Sequence, residues 1–171
     1  MNRRNVISLS TVAALGLALL PGSAVSQQKT LKDQLVGTWT VVSWEQTNKD
    51  GSKLQRFGAS PKGVNVFEAN GHFVVMFARP DLPKIASSNP MTPTPEEAKA
   101  IAQGTISYFG TYTVDEANKT IKLQIEATSY PNQLGIAQQR TITSLTADEL
   151  KYNNPVTTTG GKIDVALKRV K

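Results

Sequence analysis

From about residue 35 to residue 170, apolar and polar side chains alternate in short runs, and each run stops at a cluster of turn-forming residues. Alternation with a period of two places successive side chains on opposite faces of an extended chain, so each run can bury one face and wet the other. Strands are expected at Leu35–Glu45, Lys62–Ala69, His72–Arg79, Ser107–Val114, Thr120–Thr128, Ala137–Leu145, Leu150–Asn153 and Lys162–Val170. Asn70-Gly71 joins the second and third, since glycine accepts the positive φ of a tight hairpin. Asp115 to Asn118 and Thr146 to Glu149 serve two further hairpins, and the Thr157–Gly161 loop precedes the last strand.

Two helical signals interrupt the pattern. Thr30 with Asp33 three residues on predicts one helical turn before the first strand. Thr94, Pro95, Glu96 and Glu97 carry the marks of a helix start: a capping hydroxyl, a proline at the first helical position, and acids facing the dipole. That helix runs to Gln103 and ends at Gly104. The segment from Pro80 to Pro93 holds four prolines and is expected to cross the surface without regular structure. About eight short strands joined mainly by hairpins, with one short helix in a long loop, predict an all-β fold, an antiparallel barrel of about eight strands. Such a barrel is either filled by its own side chains or holds one small ligand.

The amino terminus has a different character. Arg3 and Arg4 precede an apolar run from Val6 to Leu20, then Pro21-Gly22 and the small residues Ala24-Val25-Ser26. That order predicts a signal peptide at 1–26, cut after Ser26, and a single domain at 27–171 in the periplasm or outside the cell. The run is shorter than the roughly 20 apolar residues of a spanning helix and contains Ser8, Ser10 and Thr11, so no membrane span is expected in the mature chain. Removing Arg3 and Arg4 lowers the formal charge of +6 by two, and the remaining basic residues are scattered, which argues against a nucleic-acid partner. The chain has no cysteine and one histidine, His72, so thiol catalysis, Fe–S clusters and Cys- or multi-His metal sites are excluded. No metal and no cofactor is expected.

Gly37-Thr38-Trp39, following a short helical turn, resembles the opening of lipocalins and their barrel relatives. In those barrels the tryptophan closes one end and a basic residue of the last strand lies across its face, which implies a barrel closure by Trp39 and Arg169. A longer ordered set resembles the bacterial lipocalin-like domain family. It comprises Gly37-Thr38-Trp39 with Val42-Ser43-Trp44-Glu45, Phe57-Gly58 with Pro61-Lys62-Gly63, and Asn70-Gly71-His72 with Ala78-Arg79-Pro80-Asp81. Gly110-Thr111-Tyr112 and Pro131-Asn132 with Gly135, Gln138 and Arg140 extend it. The resemblance implies a lipocalin-like barrel and is nearly silent on activity. Relatives often carry a histidine in the strand before the Pro-Asn turn, where this chain has Leu123 and Ile125, so no role of that histidine carries over.

Candidate ligand-binding residues follow from strand phase. With Trp39 inward, strict alternation also turns Ser43 and Glu45 inward, unless Glu45 simply meets water at the strand end. Phe77 and Arg79 share a face, and Arg79 either pairs with Asp81 or offers a guanidinium at a cavity rim. Tyr108 and Tyr112 flank Gly110, leaving room for a ligand or a neighbouring ring. Arg140 shares a face with Gln138 and Ile142, as a wall ion pair or a ligand contact. The leading expectation is a holder of a small hydrophobic or amphipathic molecule. An alternative is a cyclase, isomerase or dehydratase using Tyr108, Tyr112, Glu45 and Arg140 in the cavity. A third is an interaction protein with an exposed apolar patch around Trp44.

Overall fold

The structure, a computed structural model, describes residues 29–155, 157 and 160–171; the expected leader at 1–26 and its cut lie outside them. The elements are α1 (Leu31–Leu35), β1 (Gly37–Thr47), β2 (Lys53–Leu54), β3 (Lys62–Phe67), β4 (His72–Ala78), α2 (Pro95–Gly104), β5 (Thr105–Asp115), β6 (Thr120–Thr128), β7 (Gln138–Leu145), β8 (Glu149–Asn154) and β9 (Lys162–Arg169), with a short 3-10 turn at Pro131–Gln133. Among the described residues β1 pairs antiparallel with β2 and β3, each strand from β3 to β8 pairs antiparallel with the next, and β9 pairs back on β1. All strands but the two-residue β2 therefore close a barrel of eight. The expected lipocalin-like barrel is what the chain forms.

Both helices start as their sequences predict. The Thr30 hydroxyl accepts the Asp33 N–H at 3.0 Å while the Asp33 carboxylate accepts the Thr30 N–H at 3.2 Å. Thr94 and Glu97 repeat this box at the start of α2. Glu97 also accepts the Ala86 N–H at 2.9 Å, tying the proline-rich strap to the helix. The other end of α2 is completed from a distance: Arg56 donates to the carbonyls of Ala102, Gln103 and Thr105 at 2.7 to 3.1 Å. A cation at that end satisfies orphan carbonyls and the negative pole of the helix at once.

The barrel interior is one apolar cluster that includes Trp39, Trp44, Phe57, Phe67, Phe73, Phe77 and residues of every barrel strand. On β1 the phase differs from the expectation. Trp39 and Val41 point inward, but the pairing with β9 skips Val42 (Val41 opposite Leu167, Ser43 opposite Ala166), and this bulge re-phases the strand. Trp44 and Gln46 are consequently buried, whereas Ser43 is exposed and Glu45 lies half-buried with a 2.7 Å ion pair to Lys53. Ser43 and Glu45 do not extend the interior, and Trp44 does not form a surface patch. The outward side of β4 stays largely open instead of packing, with Val74, Met76 and their β5 neighbour Phe109 about half exposed.

The end of the barrel at the start of β1 is sealed. The Arg169 guanidinium lies 3.9 Å from the centre of the Trp39 ring and donates to the carbonyls of Ala147, Val36 and Gln34 at 2.5 to 2.8 Å. The Trp39 indole donates to the Leu35 carbonyl at 2.9 Å, and both Trp39 and Leu35 are fully buried. Gly37 has a φ of +136°, and a Cβ there would stand 2.5 Å from Arg169 Nη1, so glycine is required twice over. Arg169 and Trp39, the pair named from the resemblance, are in contact here.

Candidate functional site

In the middle of the apolar interior sits a polar cluster drawn from four strands. Asn65 on β3 is 1% exposed, and its side-chain amide donates to the Tyr152 hydroxyl on β8 at 2.9 Å. Arg140 on β7 is 5% exposed. It donates to Gln138 Oε1 at 2.6 Å, to the Gln139 carbonyl at 3.0 Å and to the Tyr108 hydroxyl on β5 at 3.3 Å. Arg140 also acts electrostatically on Tyr152, which relates the two halves of the cluster. Burial, together with Tyr108, pushes the Tyr152 phenol well above its ordinary value, with Arg140 and Asn65 acting in the opposite sense. Tyr152 thus stays a neutral hydroxyl, and its oxygen accepts from Asn65.

Strand register explains why these residues meet. Inward positions of β7 are Arg140 and Ile142, and Ile142 lies opposite Tyr152 on β8. Asn65 lies opposite Val75 on β4, which in turn lies opposite Tyr108 on β5. The cluster therefore bridges the barrel from β3 to β8.

Among the described residues the buried polar or charged side chains are Gln46, Asn65, Thr120 and Arg140, with no carboxylate. The wall ion pair considered for Arg140 is not formed: none of its partners is an acid. Asn65 Oδ1 is buried with no partner. A buried cation without a counter-charge and a buried acceptor without a donor both oppose folding.

The remaining sequence candidates lie elsewhere. Arg79 pairs with Asp81 through two bonds at 2.9 and 2.7 Å on the surface. Phe77 is buried against Phe57, ring centres 5.8 Å apart, and Phe57 in turn meets Trp44 edge-on at 5.1 Å. Tyr112 sits toward the sealed end, donates to the Glu68 carbonyl at 2.8 Å and packs on Phe67. Space beside Gly110 is already taken, because a Cβ there would lie 2.0 Å from the Gln124 carbonyl oxygen at a bulge between β5 and β6. Sequence reasoning thus brought Tyr108 and Arg140 to the cluster and missed Asn65 and Tyr152. Asn65 was the polar member of the inward set Gly63, Asn65, Phe67, and that signal was there to read.

The two ways into the barrel from the end opposite α1 differ. On the β1 side, β3 pairs only as far as Thr40, and Phe57 from the preceding connection fills the space against Trp44 and Phe77. On the other side, β7 pairs only with Thr120–Leu123 of β6, so Gln124–Thr128 have no β7 partner. The crossing loop there has no buried residue, and Tyr130, Leu134 and Ile136 are 41 to 48% exposed. Gln138, bonded to Arg140, stands at the inner edge of this opening. Outside the barrel, two neighbouring apolar clefts of about 460 and 440 Å3 lie between the strap (Leu82, Ile85, Pro90) and Ile101 of α2.

Comparison with known proteins follows the same lines. No match is found among curated proteins. A lipocalin-like protein from Bacteroides uniformis is 12% identical, with 80% of this chain and 99% of that one aligned at a TM-score of 0.42. A redesigned β-barrel is 20% identical over 85% of this chain and all of its own, at a TM-score of 0.44. Another redesigned β-barrel, bound to DFHBI, is 20% identical over 82% of this chain and all of its own, at 0.42. The profile of the lipocalin-like domain matches residues 36–165, from just before β1 into the last strand, and the chain belongs to that family.

Proposed function

We propose that this protein is an exported holder of a small hydrophobic or amphipathic molecule, taken into the barrel from the end opposite α1. The observation that carries this reading is the Asn65–Tyr152–Arg140–Tyr108 cluster inside an otherwise apolar barrel. Ligand sites combine apolar walls with a few placed polar groups, whereas a core selected for stability alone does without them. The redesigned barrel bound to DFHBI gives an instance of a barrel with a small molecule. The leader pattern at 1–26 supports the export part of the proposal.

Catalysis by Tyr108, Tyr112, Glu45 and Arg140 draws less support, because Glu45 pairs with Lys53 and Tyr112 is tied to Glu68. Native mass spectrometry of the chain purified from its own host without detergent tests the binding reading. The expected result is an added small-molecule mass, one per chain, released on collisional activation. The bare chain as the sole species would overturn the reading.

A further inference from the structure

We infer that the molecule taken by the barrel is an organic anion, a carboxylate with an apolar remainder, whose head group is seated by Arg140 between Tyr108 and Tyr152. This rests on the binding reading above and names the ligand's chemistry. The argument is an inventory of donors and acceptors. Arg140 brings only N–H donors, and one of its bonds goes to a phenol that is a donor itself. The Tyr152 oxygen accepts from Asn65, which leaves its own proton to be given away. The Tyr108 oxygen accepts from Arg140, leaving its proton likewise to be given away. Against these donors the cluster's side-chain acceptors are Gln138 Oε1 and the unpartnered Asn65 Oδ1.

The missing partner is thus rich in acceptors and carries negative charge. A carboxylate matches the planar fork of a guanidinium with two parallel bonds. Gln138 occupies the place of that carboxylate with a neutral amide oxygen at 2.6 Å, a partner an anion can displace. It stands at the unpaired β6–β7 opening, so displacement frees both the seat and the way to it. Exposed Tyr130, Leu134 and Ile136 beside that opening suit the apolar remainder. Asn65 Oδ1 adds one preference, a hydroxyl or N–H donor near the acid group.

The test titrates dansyl-undecanoic acid and its methyl ester into the full chain and into Arg140→Met and Gln138→Glu, each variant first confirmed folded by circular dichroism. Gln138→Glu supplies an internal carboxylate at the seat, so it tests the proposal even where Arg140→Met fails to fold. The acid is expected to bind the wild type about tenfold or more tighter than the ester, and both variants are expected to erase that preference. Equal binding of acid and ester to the wild type overturns the anion and leaves the binding reading standing. A preference that survives in both variants overturns Arg140 as the seat. If neither probe binds, both the anion and the binding reading fall.

Discussion

Arg169 and Arg140 belong to the same barrel and live on opposite terms. At the sealed end Arg169 lies flat on Trp39, and three main-chain carbonyls receive its N–H groups. Carbonyls and a π face are pure acceptors, so the cation is paired without any acid. In the interior Arg140 is more deeply buried, and it leans on an amide, a carbonyl and a phenol that is itself a donor. A cation in the first setting holds the fold together. A cation in the second is kept at a cost to the fold, a cost that the proposed ligand would offset.

The contrast is broken most directly by removing each arginine. Arg169→Ala should lose about 3 kcal/mol in chemical denaturation, the order expected for charge-assisted bonds to carbonyls plus a cation–π contact. A loss below about 1 kcal/mol would show that the stacked geometry adds little beyond what a surface group adds. Arg140→Met should move the other way, gaining about 1 to 2 kcal/mol, because an apolar side chain of similar length replaces an uncompensated buried charge. A clear destabilisation would make Arg140 a structural residue and erase the contrast.

Two smaller effects sharpen the picture. Tyr152 holds its proton harder in the folded chain than its ordinary value of 10.0 allows, because it is buried. That contribution is complete below pH 10 and is lost as pH rises through the raised folded value, by up to about 1.4 kcal/mol per pH unit for one phenol. Stability measured against pH on the alkaline side should fall accordingly, and Tyr152→Phe should flatten the fall to the share left by Tyr112, whose phenol burial also raises. An unchanged slope would mean that Tyr152 is reached by water. Glu97 gives the smallest effect. Its carboxyl is lowered from 4.5 by the Thr94 and Ala86 N–H groups, so its contribution is complete above that value and is lost as pH falls through the lowered one. Glu97→Gln should speed hydrogen exchange at Ala86 and Thr94 and leave the barrel strands as protected as before.

Period and turn chemistry were enough to read the hairpins and both helix starts, because each of those depends on residues close together in sequence; the Trp39–Arg169 contact came from the family resemblance. The bulge at Val42 was not legible. A bulge built on glycine announces itself, whereas this one sits in Thr-Val-Val-Ser, which reads as unbroken strand, and one extra residue exchanged Ser43 and Glu45 for Trp44 and Gln46. Arg140 and Tyr108 were recognised singly, but their company was not, since Asn65 and Tyr152 are 87 positions apart and meet only across a closed barrel. Arg56 was invisible for the same reason: the helix end it completes lies 46 to 49 residues further along.

The pairing of β1 with β9 runs from Trp39 opposite Arg169 to Thr47 opposite Lys162. The first strand to leave the ribosome is therefore completed by the last. Until the final dozen or so residues exist, the growing chain is an open sheet with two bare edges and half of its seal missing, a state in which strands are free to pair wrongly or with other chains. Contacts of such long sequence separation also form late and slowly once synthesis is over. Whatever must act on this chain while it is still open has the whole of its synthesis in which to do so, and closure of one seam ends that interval.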